Sequence, residues 1–129
     1  MYKSFKNKNM ITKFETLTQD LSKAEIEQVD SLLLALQNAK RPLKTDELIR
    51  EIYLIEKFKP KLSANRLRKI VNAIRSNSVA PVIASKRGYY ISKEQKEIEN
   101  QIKSLEERAE AILKASLGLR MYALENIMN

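Results

Sequence analysis

Only two glycines occur in the 129 residues of this chain, and one of them, Gly88, stands between two short runs, Val82-Ile83-Ala84 and Tyr89-Tyr90-Ile91. Two β-branched or aromatic runs separated by a few residues ending in Gly predict a β-hairpin whose turn contains a residue at positive φ. Elsewhere the apolar residues recur at helical spacing, so a single hairpin must be fitted among helices. Few architectures meet that requirement, and the elements on either side decide among them.

Four helical patterns surround the hairpin. Ser22-Lys23-Ala24-Glu25 matches a capping box, in which the Ser hydroxyl and the Glu carboxylate each satisfy a free amide at the helix start. Ile26, Val29, Leu32, Leu33 and Leu36 follow and supply one apolar face. Pro42 ends that element by barring Arg41 from a comfortable helical conformation. Thr45 is placed to cap a second helix, with Asp46 and Glu47 against the positive end of its dipole and Leu48, Ile49, Ile52 and Tyr53 as its buried side. Pro60 marks the next break. Ser63 caps a third helix whose apolar stripe is Leu67, Ile70, Val71 and Ile74, and Ser92-Lys93-Glu94-Gln95 forms a second capping box that opens a long final helix.

The expected fold is therefore mainly α with a small β-hairpin. Three helices followed by a two-stranded hairpin is the order of a winged helix-turn-helix, here with a long C-terminal helix appended. Residues 1–21 would be an N-terminal arm, 22–91 the winged helix-turn-helix domain and 92–129 the C-terminal helix. In the hairpin, Ile83, Tyr90 and Ile91 are expected to pack against the helices, with Lys86-Arg87 at the exposed tip and Tyr89 facing outward.

Charge is distributed unevenly along this plan. Lys and Arg number 24 and Asp and Glu 16, a net charge of +8. From 61 to 91 there are seven basic residues and no acidic one, so almost the whole excess lies in the third helix and hairpin. Solubility is served better by interspersed signs, whereas an acid-free basic surface is what phosphate binding by counterion release requires. Arg can grip guanine and Asn adenine with two hydrogen bonds. The residues expected to contact DNA are Lys61, Asn65, Arg66, Arg68, Lys69, Asn72 and Arg75 on and before the third helix, and Lys86, Arg87 and Tyr89 on the hairpin. A solvated basic surface is the plain alternative for each of them taken singly.

The second helix from Thr45 to Ile49, the basic third helix from Arg66 to Ile74, the stretch Pro81 to Ser92 and the trailing Arg108 to Lys114 together resemble the winged helix-turn-helix proteins commonly encoded by bacteriophages and prophages. The resemblance spans roughly residues 22–120, and the wing is its most specific part. It implies double-stranded DNA binding, with the third helix in the major groove and the wing beside the backbone. The sequence departs from the pattern between the second and third helices, where YLIEKFKPKLS lacks glycine and exceeds a 3–4-residue turn.

The C-terminal pattern places Ile98, Ile102, Leu105, Ala109, Ile112, Ser116 and Leu119 at alternating spacings of four and three, with Ala123 in register. A sustained heptad of this kind reads as a coiled-coil seam, and Ala109 and Ser116 are small enough for close helix approach. A homodimer through this seam would present two basic helices to a pseudo-palindromic site. The alternative is a helix bent near Gly118 and packed back on its own domain.

Other function classes find little support. His and Cys are both absent, which removes the usual general base near neutral pH and the common metal ligands. Two distant glycines cannot build a phosphate-cradling loop. No enzyme activity, cofactor or metal is expected. No apolar run reaches signal-peptide or membrane-span length, so the expected protein is cytoplasmic with no membrane partner. Single-stranded DNA or RNA binding would call for more exposed aromatics. At the N-terminus, Ile11, Phe14, Leu17 and Leu21 fit a short helix, while the Thr-rich stretch Met10 to Thr18 suits a strand; Lys3, Lys6, Lys8 and Lys13 make it a candidate DNA-contacting arm, with a frayed, solvated terminus as the alternative. The expectation is a phage or mobile-element transcriptional regulator or replication accessory factor. The alternative is a winged-helix adaptor whose basic face meets an acidic host or phage protein.

Overall fold

The computed structural model describes residues 21–57 and 62–127. Lys61 and the N-terminal arm up to residue 20 lie outside them. The chain divides into two units, Met1–Lys93 and Glu94–Asn129. The described residues form α1 (Lys23–Asn38), α2 (Thr45–Glu56), α3 (Ala64–Ser76), a hairpin of β1 (Val82–Ser85) and β2 (Gly88–Ile91), and α4 (Gln95–Asn126). The described residues are thus mainly helical, with one small antiparallel sheet and one long C-terminal helix.

The core of the first unit is assembled from the stripes read in the sequence. Val29, Leu32, Leu33 and Leu36 of α1, Leu48, Ile49 and Ile52 of α2, and Leu67, Ile70, Val71 and Ile74 of α3 are all buried. Each such side chain contributes roughly 1.5–3 kcal/mol on leaving water, and α1 is the helix against which α2, α3 and β2 all pack. Leu21, Leu43 and Leu62 close the core from the connecting segments. Tyr53, expected on the buried side of α2, is exposed together with Leu54.

Helix ends follow local chemistry, with two displacements. The Ser22 capping box is present with both arms: Glu25 N donates to Ser22 Oγ (3.2 Å) and Ser22 N donates to Glu25 Oε1 (2.9 Å). Ser63 Oγ accepts from Arg66 N at 3.2 Å and caps α3. At α2 the cap position is Lys44 rather than Thr45, and the reach-back arm alone is made, from Lys44 N to Glu47 Oε1 (3.0 Å). Arg41 grips the same carboxylate with two bonds, of 3.2 and 2.6 Å. The second expected capping box does not form. α4 starts at Gln95 with Glu94 as its cap, while Ser92 is buried and its N–H donates to Pro81 O (3.1 Å). At the end of α3, Ser78 takes a positive φ of 55°. Val79 N then bonds Ile74 O and Ser78 N bonds Arg75 O, the paired bonds of a Schellman ending.

In the hairpin, Ser85 pairs with Gly88, Ala84 with Tyr89, Ile83 with Tyr90 and Val82 with Ile91. Lys86 and Arg87 make the turn, and the positive φ falls on Gly88 (126°). A third backbone joins this ladder: Leu43 and Tyr89 exchange N–H···O bonds of 2.9 and 2.7 Å, an isolated antiparallel bridge. Leu43 explains why position 88 is glycine. A Cβ there would land on the Leu43 carbonyl and 2.7 Å from the Lys44 nitrogen.

One face of the hairpin meets the helices. Tyr89 and Ile91 pack against the core and Val82 belongs to it. Ile83 and Tyr90, opposite each other in the register, lie on the other face by strand alternation, although Ile83 is itself buried. Tyr89 therefore packs against the core in the place expected for Tyr90, and Tyr90 on the opposite face is half-buried as well.

α4, considered by itself, is one helix of 32 residues without a buried residue. It runs unbroken through Gly118, where the sequence allowed a bend.

Candidate nucleic-acid interface

α3 is two-sided. With Leu67, Ile70, Val71, Ala73 and Ile74 in the core, its opposite side is left to Asn65, Arg68, Lys69, Asn72 and Ser76, all exposed. These five residues, with Ala73, line one shallow open groove. Arg68 donates to Asn65 Oδ1 at 3.0 Å, so a guanidinium and an amide, both base-reading groups, are held together on the surface.

The other basic residues of α3 are placed differently. By helical phase, Arg66 is turned roughly 100° away from Asn65, toward the flank of the groove, and stays exposed because it is in the first turn. Arg75 is half-buried, and its Nε donates to Val82 O (2.8 Å), tying the end of α3 to β1. Lys69 keeps about half its side chain in solvent, but its Nζ lies 2.9 Å from Oε1 of Glu25, a side chain only 5% exposed. Burial pushes the Glu25 carboxyl up, and the hydrogen bonds from Ser22 and Lys69, helped by the lysine charge, more than offset it. Its pKa accordingly lies below the ordinary carboxylate value. The acid-free surface of α3 thus borders an ionised carboxylate from α1.

At the hairpin tip Lys86 and Arg87 are both exposed. Ser85 organises the turn, its Oγ accepting from Arg87 N (3.2 Å) and donating to Gly88 O (3.1 Å). Tyr89, expected at the interface, presents its backbone to Leu43 and its ring to the core. It still borders a shallow depression between the hairpin and the start of α2, whose rim carries Lys44 and Lys86 of one sign and Asp46 of the other. Lys44 is a cation near the hairpin that sequence reading missed, since its place there depends on the Leu43 bridge.

On α4 the heptad residues remain accessible, with Ile102, Ile112 and Leu119 at 48%, 71% and 74% exposure. A second apolar stripe, Leu113, Leu117, Met121 and Leu124, is exposed on another side of the C-terminal half. Among the described residues there is no cluster of His, Cys, Asp or Glu that could hold a metal, and no helix long and apolar enough to cross a membrane. No protein-family model, curated protein or solved structure matches this chain.

Proposed function

We propose that the first unit is a winged helix-turn-helix domain that binds double-stranded DNA, with α3 in the major groove and the hairpin beside the phosphate backbone. The observation that carries this reading is the two-sidedness of α3: one side lies wholly in the core, and the other offers Asn65, Arg68, Lys69 and Asn72 with no acidic residue of its own. The order helix, bridging residue, helix, helix, strand, strand supports the winged-helix assignment. The Lys86-Arg87 tip supplies the backbone-contacting wing. Self-association through the α4 seam completes the reading, since an exposed heptad on a long helix is suited to another helix. The resemblance noted above suggests a regulator or replication accessory factor of a phage or mobile element, acting in the cytoplasm without catalysis.

The test is fluorescence anisotropy of a labelled random-sequence duplex at two salt concentrations. Binding at micromolar or tighter Kd that falls steeply with salt is expected. Replacing Lys86 and Arg87 together by Ala should weaken binding about equally for all sequences and make the salt slope shallower by roughly 1–2 units. A flat anisotropy at low salt would refute the DNA reading and turn attention to an acidic protein as the partner of this face. Unchanged affinity in the double variant would remove the hairpin from the interface.

A further inference from the structure

The seam of α4 is uneven in a way that selects one mode of pairing. In heptad terms its a positions are Ile102, Ala109, Ser116 and Ala123, and its d positions are Ile98, Leu105, Ile112 and Leu119. Three of the four a residues are small, whereas every d residue is large. In a parallel, in-register pair each residue meets its own copy, so three layers would set small side chains against small ones. Facing large side chains would hold the helices apart there and leave voids, each of which costs stability.

Reversing one helix removes the mismatch. Aligned about its midpoint, the seam pairs Ile98 with Ala123, Leu105 with Ser116 and Ala109 with Ile112, and only Ile102 with Leu119 joins two large residues. Each unlike pair occurs twice by symmetry. Volume is then nearly even at three of the four kinds of pair, with Ile102–Leu119 the bulkier exception, which comes closer to close packing than the parallel arrangement does.

Charge points the same way. Glu94 to Glu110 holds six acidic and three basic residues, while Ala111 to Asn126 has Lys114 and Arg120 against a single acid, Glu125. A parallel pair sets the acidic halves side by side. An antiparallel pair sets each against the basic half, and brings the e-position Glu99 of one copy alongside the e-position Arg120 of the other. Opposed helix dipoles add to the preference.

We propose that α4 binds α4 of a second copy in antiparallel orientation, in the register that pairs Leu105 with Ser116. This rests on the self-association proposed above and goes beyond it by fixing the orientation. With ~1.5 Å of rise per residue, the points at which the two chains enter the pair then lie roughly 46 Å apart along its axis, at opposite ends.

The absence of native cysteine allows a direct test with nitroxide labels on the full chain. Lys96→Cys and Glu110→Cys, both at exposed positions, are labelled separately and read by double electron–electron resonance. The expected result is a short distance at 110, on the order of 20 Å for helices 8–10 Å apart, and a long one at 96, about 45 Å from the helical rise. Short distances at both positions would overturn the antiparallel arrangement while leaving the dimer. No dipolar coupling at either, with monomeric sedimentation, would overturn the dimer itself. As a second arm, Arg120→Glu should weaken dimerisation several-fold in sedimentation, and adding Glu99→Arg to the same chain should restore it. Failure of the restoring change would refute this register.

Discussion

Replacing Gly88 by Ala tests the link between the hairpin and the helices, because two costs fall on one methyl group. The first is conformational: φ is 126° at this residue, a region in which a side chain brings strain of about 1–3 kcal/mol. The second is steric, since the new Cβ would sit on the Leu43 carbonyl and 2.7 Å from Lys44 N. Leu43 must then move away, and the two bonds it exchanges with Tyr89 are lost, at about 0.5–1.5 kcal/mol each. Together these give about 2–6 kcal/mol, a large share of the 5–15 kcal/mol by which a typical domain is stable. Urea unfolding followed by circular dichroism should show a midpoint lowered by one to several molar for a slope of about 1–2 kcal/mol/M. Hydrogen exchange should find the Leu43 and Tyr89 amides protected in the parent chain and rapidly exchanging in the variant. The built-in control is the other glycine. A Cβ at Gly118 meets nothing within 4 Å, so Gly118→Ala should stabilise α4 by about 1 kcal/mol through helix propensity. A loss below about 1 kcal/mol for Gly88→Ala, or unchanged protection at Leu43, would refute the account of the bridge.

Further outcomes are expected from the helix ends. Ser78 occupies, at φ 55°, the left-handed position that closes α3, where glycine carries no Cβ penalty; Ser78→Gly should therefore stabilise the first unit by about 0.5–1 kcal/mol in thermal unfolding, and a loss would contradict the Schellman ending. Glu47 is held down to about 2, first by the Arg41 guanidinium and then by Lys44 N–H. Because a depressed carboxyl stabilises above its unfolded value and loses that stabilisation as pH falls through its folded value, the stability difference between the parent and Glu47→Gln should be fully present above about pH 4.5 and vanish toward pH 2. A difference independent of pH over that range would exclude the ion pair as its source.

Much of this architecture was legible because it is locally encoded. Ser22 with Glu25 and Ser63 with Arg66 are contacts across three residues, and the stripes of α1 and α3 need only helical period, so sequence alone located them. The hidden features depend on residues far apart in the chain. Leu43 is a single bridging residue between Pro42 and Lys44, too short to give a strand pattern, so its pairing with Tyr89 could not be read from the sequence. Lys69 meets Glu25 across 44 positions, so its basicity could be read but not its engagement. Ser92 satisfies the local rule for a cap, but its amide is taken by Pro81 O and the helix begins at Gln95. Tyr53 fits the helical period of α2 but stands at the edge of its buried arc.

These long-range contacts bear on how the proposed interface would work. Of the expected DNA-contacting cations in the described residues, Lys69 already faces Glu25 and Arg75 is tied to Val82. Arg66, Arg68, Lys86 and Arg87 remain exposed, so one copy offers about four phosphate contacts and a salt slope near −3.6 at ~0.9 per contact. That is modest for a DNA-binding protein acting alone. Joining two copies through α4 makes the second contact intramolecular and can raise avidity by about 10²–10⁴ without any new residue. Binding should therefore depend on duplex length. On a duplex of about 12 base pairs, close to one helical turn of ~10 base pairs and so holding a single copy, the parent chain and an Ile102→Lys, Ile112→Lys variant should bind alike. On a duplex several times longer, the parent should gain affinity steeply and the variant only in proportion to the number of sites. No α4 residue is buried in the single chain, so these lysines leave the core of the first unit untouched. Equal gains for the two proteins on long DNA would separate the α4 seam from DNA binding altogether.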